Sequence, residues 1–157
     1  MQYVDSVSNT VAKWMKDVPH LPKGFTKWLA ENSWWLTIVG VVFSVFGVFG
    51  ILAAMTAGSA LLVVVGAPAL GGMFFVSSVV SLVGIGISVV AEVMAITPLK
   101  AMKKRGWDLM FFVLLVSVVI GLLGGLLTAN VGSVLFGLIG AAIGAYVLIE
   151  LKQYFVK

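Results

Sequence analysis

The sequence predicts an all-α integral membrane protein with four transmembrane helices, arranged as two hairpins and preceded by an amphipathic N-terminal helix. Hydrophobic residues make up 61% of the 157 residues and charged residues only 10%, whereas a soluble domain carries about 25% charged residues. The mean hydropathy of +1.16 indicates that lipid is the solvent for most of the chain. Two long segments, 32–91 and 109–149, contain no charged residue.

The first domain, residues 1–31, is predicted to be an amphipathic arm that ends in a proline and glycine elbow. In the segment VDSVSNTVAKWMKDV, residues 4–18, the apolar side chains fall within one arc of about 100° on a helical wheel. Lys13 and Lys16 lie on the opposite face, where anionic headgroups of the inner leaflet would hold them. An equally supported alternative is that the apolar stripe packs on protein. His20, the single histidine, lies between two prolines and is interpreted as an ordinary loop residue.

The second domain, residues 32–157, is predicted to hold four spans because all the basic residues then face one side. A span needs about 20 residues, so 109–149 fits two spans with a turn at 128–133, while 32–91 fits two or three. Basic residues accumulate on the cytoplasmic side of a membrane. Here they form three groups: Lys13, Lys16, Lys23 and Lys27; Lys100, Lys103, Lys104 and Arg105; Lys152 and Lys157. Keeping all three groups inside requires an even number of crossings between them, which predicts helices at 34–56, 73–97, 109–127 and 134–149 and two cytoplasmic termini.

The remaining apolar segment, AGSALLVVVGAPALGG at 57–72, is predicted to be a loop that rests on the outer headgroups. Glycine and proline at Gly66, Pro68, Gly71 and Gly72 interrupt it, and the uninterrupted part is too short to span. A re-entrant loop, which is tolerated only where protein covers it, is the alternative.

The inner membrane surface is predicted to be marked by aromatic and basic side chains. Trp34, Trp35 and Trp107 fit an interfacial aromatic belt. The residues expected to meet anionic lipid headgroups are Lys13, Lys16, Lys100, Lys103, Lys104 and Arg105. Because these residues flank the spans, the membrane explains them fully, and nucleic acid is not an expected partner.

Small residues follow one face of several predicted spans, which indicates close helix packing within a bundle or between copies. Apolar side chains gain little from touching each other instead of lipid, so close backbone approach through small residues drives helix association in membranes. The glycines expected at helix contacts are Gly40 and Gly47 in the first span, Gly121, Gly124 and Gly125 in the third, and Gly137, Gly140 and Gly144 in the fourth.

One carboxylate, Glu92, interrupts the second predicted span. The hydroxyls that share its face, within an arc of about 80°, are those of Ser77, Ser81 and Ser88. Charged groups within spans are functional candidates by default, so Glu92 and the serine row form a candidate ion or proton site. The favoured alternative is a structural ion pair with Lys100 or Arg105 at the membrane edge, because no second ionisable group lies within the spans to form a relay.

The sequence lacks the common motifs of enzyme active sites. The chain has no cysteine and one histidine, and it contains no phosphate-loop, metalloprotease or nucleophile-elbow motif. We therefore expect a non-enzymatic structural or accessory protein of the cell membrane, without metal or cofactor, that assembles with itself or a membrane partner through its glycine and serine faces. The alternative is a small oligomeric channel or transporter that uses Glu92 and the serine row.

Overall fold

The computed structural model describes the backbone of residues 2–155 and the side chains of residues 4–155, and within this part of the chain it contains no β-strand. Its elements are α1 (Gln2–Trp14), α2 (Lys23–Val64), α3 (Pro68–Lys100), α4 (Lys104–Leu127), α5 (Val131–Leu151) and a short 3₁₀ turn, Lys152–Tyr154. The last four helices are each long and apolar enough to cross a membrane. The chain therefore has the composition and helix lengths of a membrane protein. Lys157 of the third basic group lies outside the described residues.

Neighbouring helices pack side by side in chain order. The ammonium of Lys100 lies 5.1 Å from the ring centre of Trp34, and Gly58 near the far end of α2 lies against the ring of Phe74, so α2 and α3 run antiparallel. In the same way Gly84 of α3 lies against Ile120 of α4. Helix α5 packs mainly on α4 and makes only slight contact with α1 and α2.

The segment 57–72 is helical, which differs from the predicted loop. Helix α2 continues to Val64 and α3 begins at Pro68, so only residues 65–67 connect them. Gly66 makes the turn with a φ of +80°, a conformation that glycine adopts without steric cost. The other glycines of the segment are contact points: a Cβ at Gly58 would lie 2.9 Å from Phe74, and a Cβ at Gly71 would lie 3.0 Å from the Ser59 carbonyl.

The connection between α2 and α3 extends past the turn that joins α4 to α5. Gly124 lies level with Ser77, whose Oγ would be 3.4 Å from a Cβ there, and α4 ends soon afterwards at Leu127. At 1.5 Å per residue, the segment 58–74, which we call the α2–α3 tip, reaches about 10 Å beyond α4. The tip is apolar and exposed: Leu61 is 62% exposed and Val64 is 83% exposed.

The buried core lies at the opposite end of the bundle, which we call the basic end because it carries Lys23, Lys104 and Lys152. The core residues are Val4, Ala30, Ala95, Leu99, Trp107, Leu109, Phe111, Leu151 and Phe155. They come from α1 to α5 and from the residue that follows the 3₁₀ turn. All five helices are therefore joined at this one end, while the rest of the bundle is held by pairwise helix contacts.

Trp107 is the central side chain of this core, whereas the sequence predicted that it belongs to an interfacial aromatic belt. It is 1% exposed, it stacks on Phe111 with 5.1 Å between ring centres, and its Nε1–H donates to the carbonyl of Leu148 at 2.6 Å. Gly106 permits this position, because a Cβ there would lie 2.6 Å from the backbone nitrogen of Leu99. The start of α4 can therefore approach the end of α3 closely enough to bury the indole.

Candidate functional site

Glu92 points toward the inside of the bundle. It follows Phe74 by about five helical turns, so both side chains leave α3 in the same direction, and Phe74 packs on Gly58 of α2. The pairing of Trp34 with Lys100 and of Gly58 with Phe74 places Glu92 level with residues 40–42 of α2. The carboxylate therefore lies on the side of α3 that faces α2.

The carboxylate of Glu92 is chemically isolated among the described residues. Its Oε2 is buried and has no hydrogen-bond partner in this part of the chain. Lys100, one of the two predicted edge partners, lies over the ring of Trp34, and Arg105 is exposed at the surface. A buried carboxylate oxygen without a donor is unusual in a protein interior, and it keeps Glu92 as the candidate site.

The serine row does not form a continuous chain of hydroxyls to Glu92. The Oγ of Ser81 donates to the carbonyl of Ser77 at 2.9 Å, which is the usual back-bond of a hydroxyl within a helix. Ser77 lies beside Gly124 of α4, and Ser88 shares the face without a bond to the carboxylate. Glu92 lines neither of two cavities that border α3, one beside Gly86 and Ala91 and one beside Ile87.

The predicted packing glycines fall into two groups. Gly124 lies beside Ser77, Gly125 beside Val134 and Gly144 beside Leu114. By contrast, a Cβ would meet no atom within 4 Å at Gly40, Gly47, Gly121, Gly137 or Gly140. Gly121 and Gly137 line a void of about 30 Å³ between α4 and α5. We refer to Gly40 and Gly47 on α2, with Gly140 on α5, as the open glycine faces.

Other glycines make close contacts that the sequence reasoning did not assign. They are Gly58, Gly71, Gly84 and Gly106, which approach a ring, a carbonyl, a branched side chain and a helix backbone respectively. Gly58 and Gly71 both lay in the predicted loop, and Gly71 was interpreted as one of its interruptions. The contact of Gly84 could have been predicted from its helical spacing, because Gly84 shares the face of Ser77. The sequence around Gly106 has no apolar periodicity that would have indicated its contact.

Helix α1 is tied to the basic end by charged hydrogen bonds. Lys104 Nζ donates to both carboxylate oxygens of Asp5, at 2.7 and 2.8 Å. Lys152 Nζ donates to Ser8 and Asn9, each at 3.0 Å, and lies 5.0 Å from the ring centre of Trp107. Of the predicted headgroup residues, Lys104 is thus engaged with α1, whereas Lys13, Lys16, Lys103 and Arg105 are exposed.

The Asp5 contact makes the docking of α1 sensitive to acid. The hydrogen bond from Lys104 lowers the pKa of Asp5 below its ordinary value of 3.8. A lowered pKa in the folded state contributes stability above the unfolded pKa, and that stability is lost as pH falls through the folded value. We expect hydrogen exchange of α1 amides to be unchanged from neutral pH to about pH 4, after correction for the intrinsic exchange rate, and to accelerate below it.

An Asp5→Asn variant tests the assignment of that transition. It removes the charge at every pH, so α1 should exchange faster than in the wild-type protein already at neutral pH and should show no step below pH 4. Asp17→Asn removes an equal charge from a carboxylate that makes no ion pair with the described residues, and it should behave as the wild-type protein. Equal exchange in the two variants would contradict the role of Asp5.

The elbow between α1 and α2 is held against α5 by polar contacts over long sequence distances. The Tyr146 hydroxyl donates to the carbonyl of Pro19, and His20 Nδ1 lies 2.6 Å from Oε1 of Glu150. The hydroxyls of Thr26 and Tyr154 lie 3.1 Å apart. His20 is therefore a contact residue, and no local pattern links it to Glu150, which is 130 positions away.

No family model, no curated protein and no solved structure matches this chain. Its function is therefore inferred from its own residues and their arrangement.

Proposed function

We propose that the chain is a non-enzymatic structural or accessory subunit of a cell membrane that assembles with copies of itself or with a membrane partner through the open glycine faces. The observation that supports this proposal is the set of glycines, two on α2 and one on α5, at which a Cβ would meet no atom within 4 Å. In the described part of the chain, no neighbouring side chain fills the space at these three glycines.

The physical chemistry of lipid-facing glycine supports assembly. Glycine in a helix interior lowers the stability of the helix by roughly 0.5–1 kcal/mol relative to alanine. A glycine that faces lipid makes no protein contact that would offset this loss. A second helix that approaches such a face gains close backbone contact, which is the main source of helix association in membranes. The spacing of Gly40 with Gly47 keeps this pair near one side of α2.

The topology that we propose has two hairpins with both termini in the cytoplasm. Its support is the clustering of positive charge at one end: Lys104 is bonded to Asp5 and Lys152 to Ser8, and Lys23 begins α2 at the same end. An even number of crossings between the basic groups follows from this arrangement, and basic residues favour the cytoplasmic side.

We assign the amphipathic arm two contacts. Its first turns dock on the protein, since Val4 is 4% exposed and Asp5 bonds to Lys104. Its end faces outward, since Trp14 is 77% exposed and Val18 is 41% exposed, which suits the headgroup region. The two alternatives for the apolar stripe thus apply to different parts of one segment.

Leucine at the open glycine faces should prevent assembly. We expect the double variant Gly40→Leu with Gly47→Leu to weaken self-association in mild detergent by about tenfold or more, equivalent to about 1.4 kcal/mol, because the side chains hold the second backbone away. Light scattering on the eluted protein measures the mass. Ala53→Leu adds bulk to an exposed position on another face of α2 and should leave assembly intact. A monomeric wild-type protein, or equal losses in both variants, would refute self-assembly through α2.

A second candidate function, a small oligomeric channel or transporter, is favoured by one observation. The Oε2 of Glu92 is buried without a partner among the described residues, on the side of α3 that faces α2. An oligomer that brings α2 and α3 of several copies together would place several copies of Glu92 near one another, and such carboxylates are candidate ion sites.

Flux through liposomes distinguishes the two functions. If Glu92 lies on an ion or proton path, the wild-type protein carries a measurable flux and Glu92→Gln reduces it by at least tenfold. Asp17→Gln removes a carboxylate outside the spans and should leave flux unchanged. Absence of flux in the wild-type protein, with assembly retained, supports the structural function and excludes the channel.

A further inference from the structure

A pocket opens at the basic end, between the end of α1, the elbow and the end of α5, with a volume of about 500 Å³. The turn after α1 contributes Met15 and Lys16, the elbow His20, α2 Lys23, and α5 Tyr146 and Glu150. Two stretches that are distant in sequence, 12–23 and 146–153, therefore build one concave surface. Its volume lies within the usual range of sites for small ligands.

Polar contacts fix the walls of this pocket. The bond from Tyr146 to the carbonyl of Pro19 and the pair of His20 with Glu150 hold the elbow on α5. The carboxylate of Glu150 is 10% exposed, whereas His20 is 75% exposed, so the acid lies at the base and the imidazole at the rim. Because His20 covers Glu150, the single carboxylate of the pocket is engaged within the wall.

The charge left facing the pocket is positive. Lys16 and Lys23 line it, and neither forms an ion pair with the described residues. The first turn of α2, which starts at Lys23, has no side-chain cap, so its positive dipole end adds to the same field. Two ammonium groups without a carboxylate partner favour an anion with several acceptor oxygens, as a phosphate has.

The apolar part of the pocket decides the source of the phosphate. Met15, Tyr146 and Ile149 line one side, and Tyr146 and Ile149 belong to the last turns of α5, which lead along the bundle toward its apolar half. A free phosphate would leave this apolar surface uncovered, whereas the glycerol and first methylenes of a lipid would bury it. We propose that the pocket binds the phosphate headgroup of an anionic phospholipid between Lys16 and Lys23.

Two other lysines, each within four residues of Lys16 or Lys23, provide a matched control. Lys13 on α1 is exposed outside the pocket, and Lys27 on α2 lies 3.8 Å from Glu31. The double variants Lys16→Gln with Lys23→Gln and Lys13→Gln with Lys27→Gln remove the same total charge from the same two stretches of chain, 13–16 and 23–27. A diffuse electrostatic attraction responds equally to both pairs, whereas a built pocket responds only to the first.

The test is native mass spectrometry of the full chain in detergent with phosphatidylglycerol or phosphatidylcholine added at equal concentration. We expect the wild-type protein to retain one phosphatidylglycerol, the Lys16 and Lys23 double variant to lose it by about tenfold or more, and the control pair to retain it. Tyr146→Phe keeps the charge but releases Pro19, and it should also weaken retention. Equal losses in both lysine pairs, or equal retention of the two lipids, would overturn the proposal.

Inorganic phosphate separates the two sources of the ligand. Phosphate at millimolar concentration should neither bind alone nor displace phosphatidylglycerol from the wild-type protein. Phosphate binding that depends on Lys16 and Lys23 would overturn the lipid as the ligand. The proposal rests on the membrane placement proposed above, but retention in detergent requires neither assembly nor a bilayer, so its failure is distinguishable from failure of the glycine variants.

Discussion

Replacement of Gly106 by alanine is expected to destabilise the fold by about 3 kcal/mol, the upper end of the range for overpacking. The three atoms nearest to the added Cβ are backbone atoms of Pro98 and Leu99, at 2.6 to 3.0 Å. Backbone cannot rotate away as a flexible side chain can, so α4 must shift and uncover Trp107. Reversible denaturation in mixed detergent micelles, followed by circular dichroism, measures the loss.

Gly86→Ala is the control for this experiment. Gly86 lies within α3, where a Cβ would meet no atom within 4 Å. Alanine there adds helix propensity without a clash, so the free energy of unfolding should stay the same or rise by roughly 0.5–1 kcal/mol. A Gly106→Ala protein as stable as Gly86→Ala would show that α3 and α4 do not approach at this point.

Truncation of Trp107 to alanine is expected to cost about 3–5 kcal/mol, as for other large aromatic side chains in cores. The loss comes mainly from the cavity, because the Leu148 carbonyl keeps a backbone donor, the N–H of Lys152. Trp107→Phe retains the stacking on Phe111 and should cost less. Trp35→Ala removes an indole that is 37% exposed and bonds within its own helix, so it should cost far less.

The Trp107 variant also tests how α1 is held. Lys152 lies over the indole and donates to Ser8 and Asn9, so removal of the ring frees the lysine that bonds to α1. We expect hydrogen exchange in α1 to accelerate in Trp107→Ala more than in Trp35→Ala. Equal exchange in both variants would mean that the contact of Asp5 with Lys104 holds α1 without help.

Hydropathy predicted the number of long apolar helices well but not their ends. The prediction of 109–127 and 134–149 lies inside α4 and α5, which begin at Lys104 and Val131. The first span was predicted from 34, yet α2 begins at Lys23. A segment without charged residues marks only the part of a helix that can lie in lipid. Lysine and glutamate are good helix formers, so a helix can continue beyond that segment into water.

Residues with two physical roles were the main source of error. Glycine at Gly58 and Gly71 signals a break in isolation, but each permits a close helix contact here. Tryptophan next to basic residues is typical of an interface, but Trp107 is buried by helices from other parts of the chain. The pair of His20 with Glu150 joins residues 130 positions apart, and no local spacing carries that information.

The extension of the α2–α3 tip has a consequence for the surrounding bilayer. One flank of the molecule is apolar over about 10 Å more length than the other, so a bilayer of uniform thickness cannot match both flanks. Each ångström of hydrophobic mismatch costs a fraction of a kcal/mol. Either the bilayer thickens beside one pair of helices or the whole protein tilts. In a bilayer, the lipid beside α2 and α3 would therefore differ in thickness from the lipid beside α4 and α5.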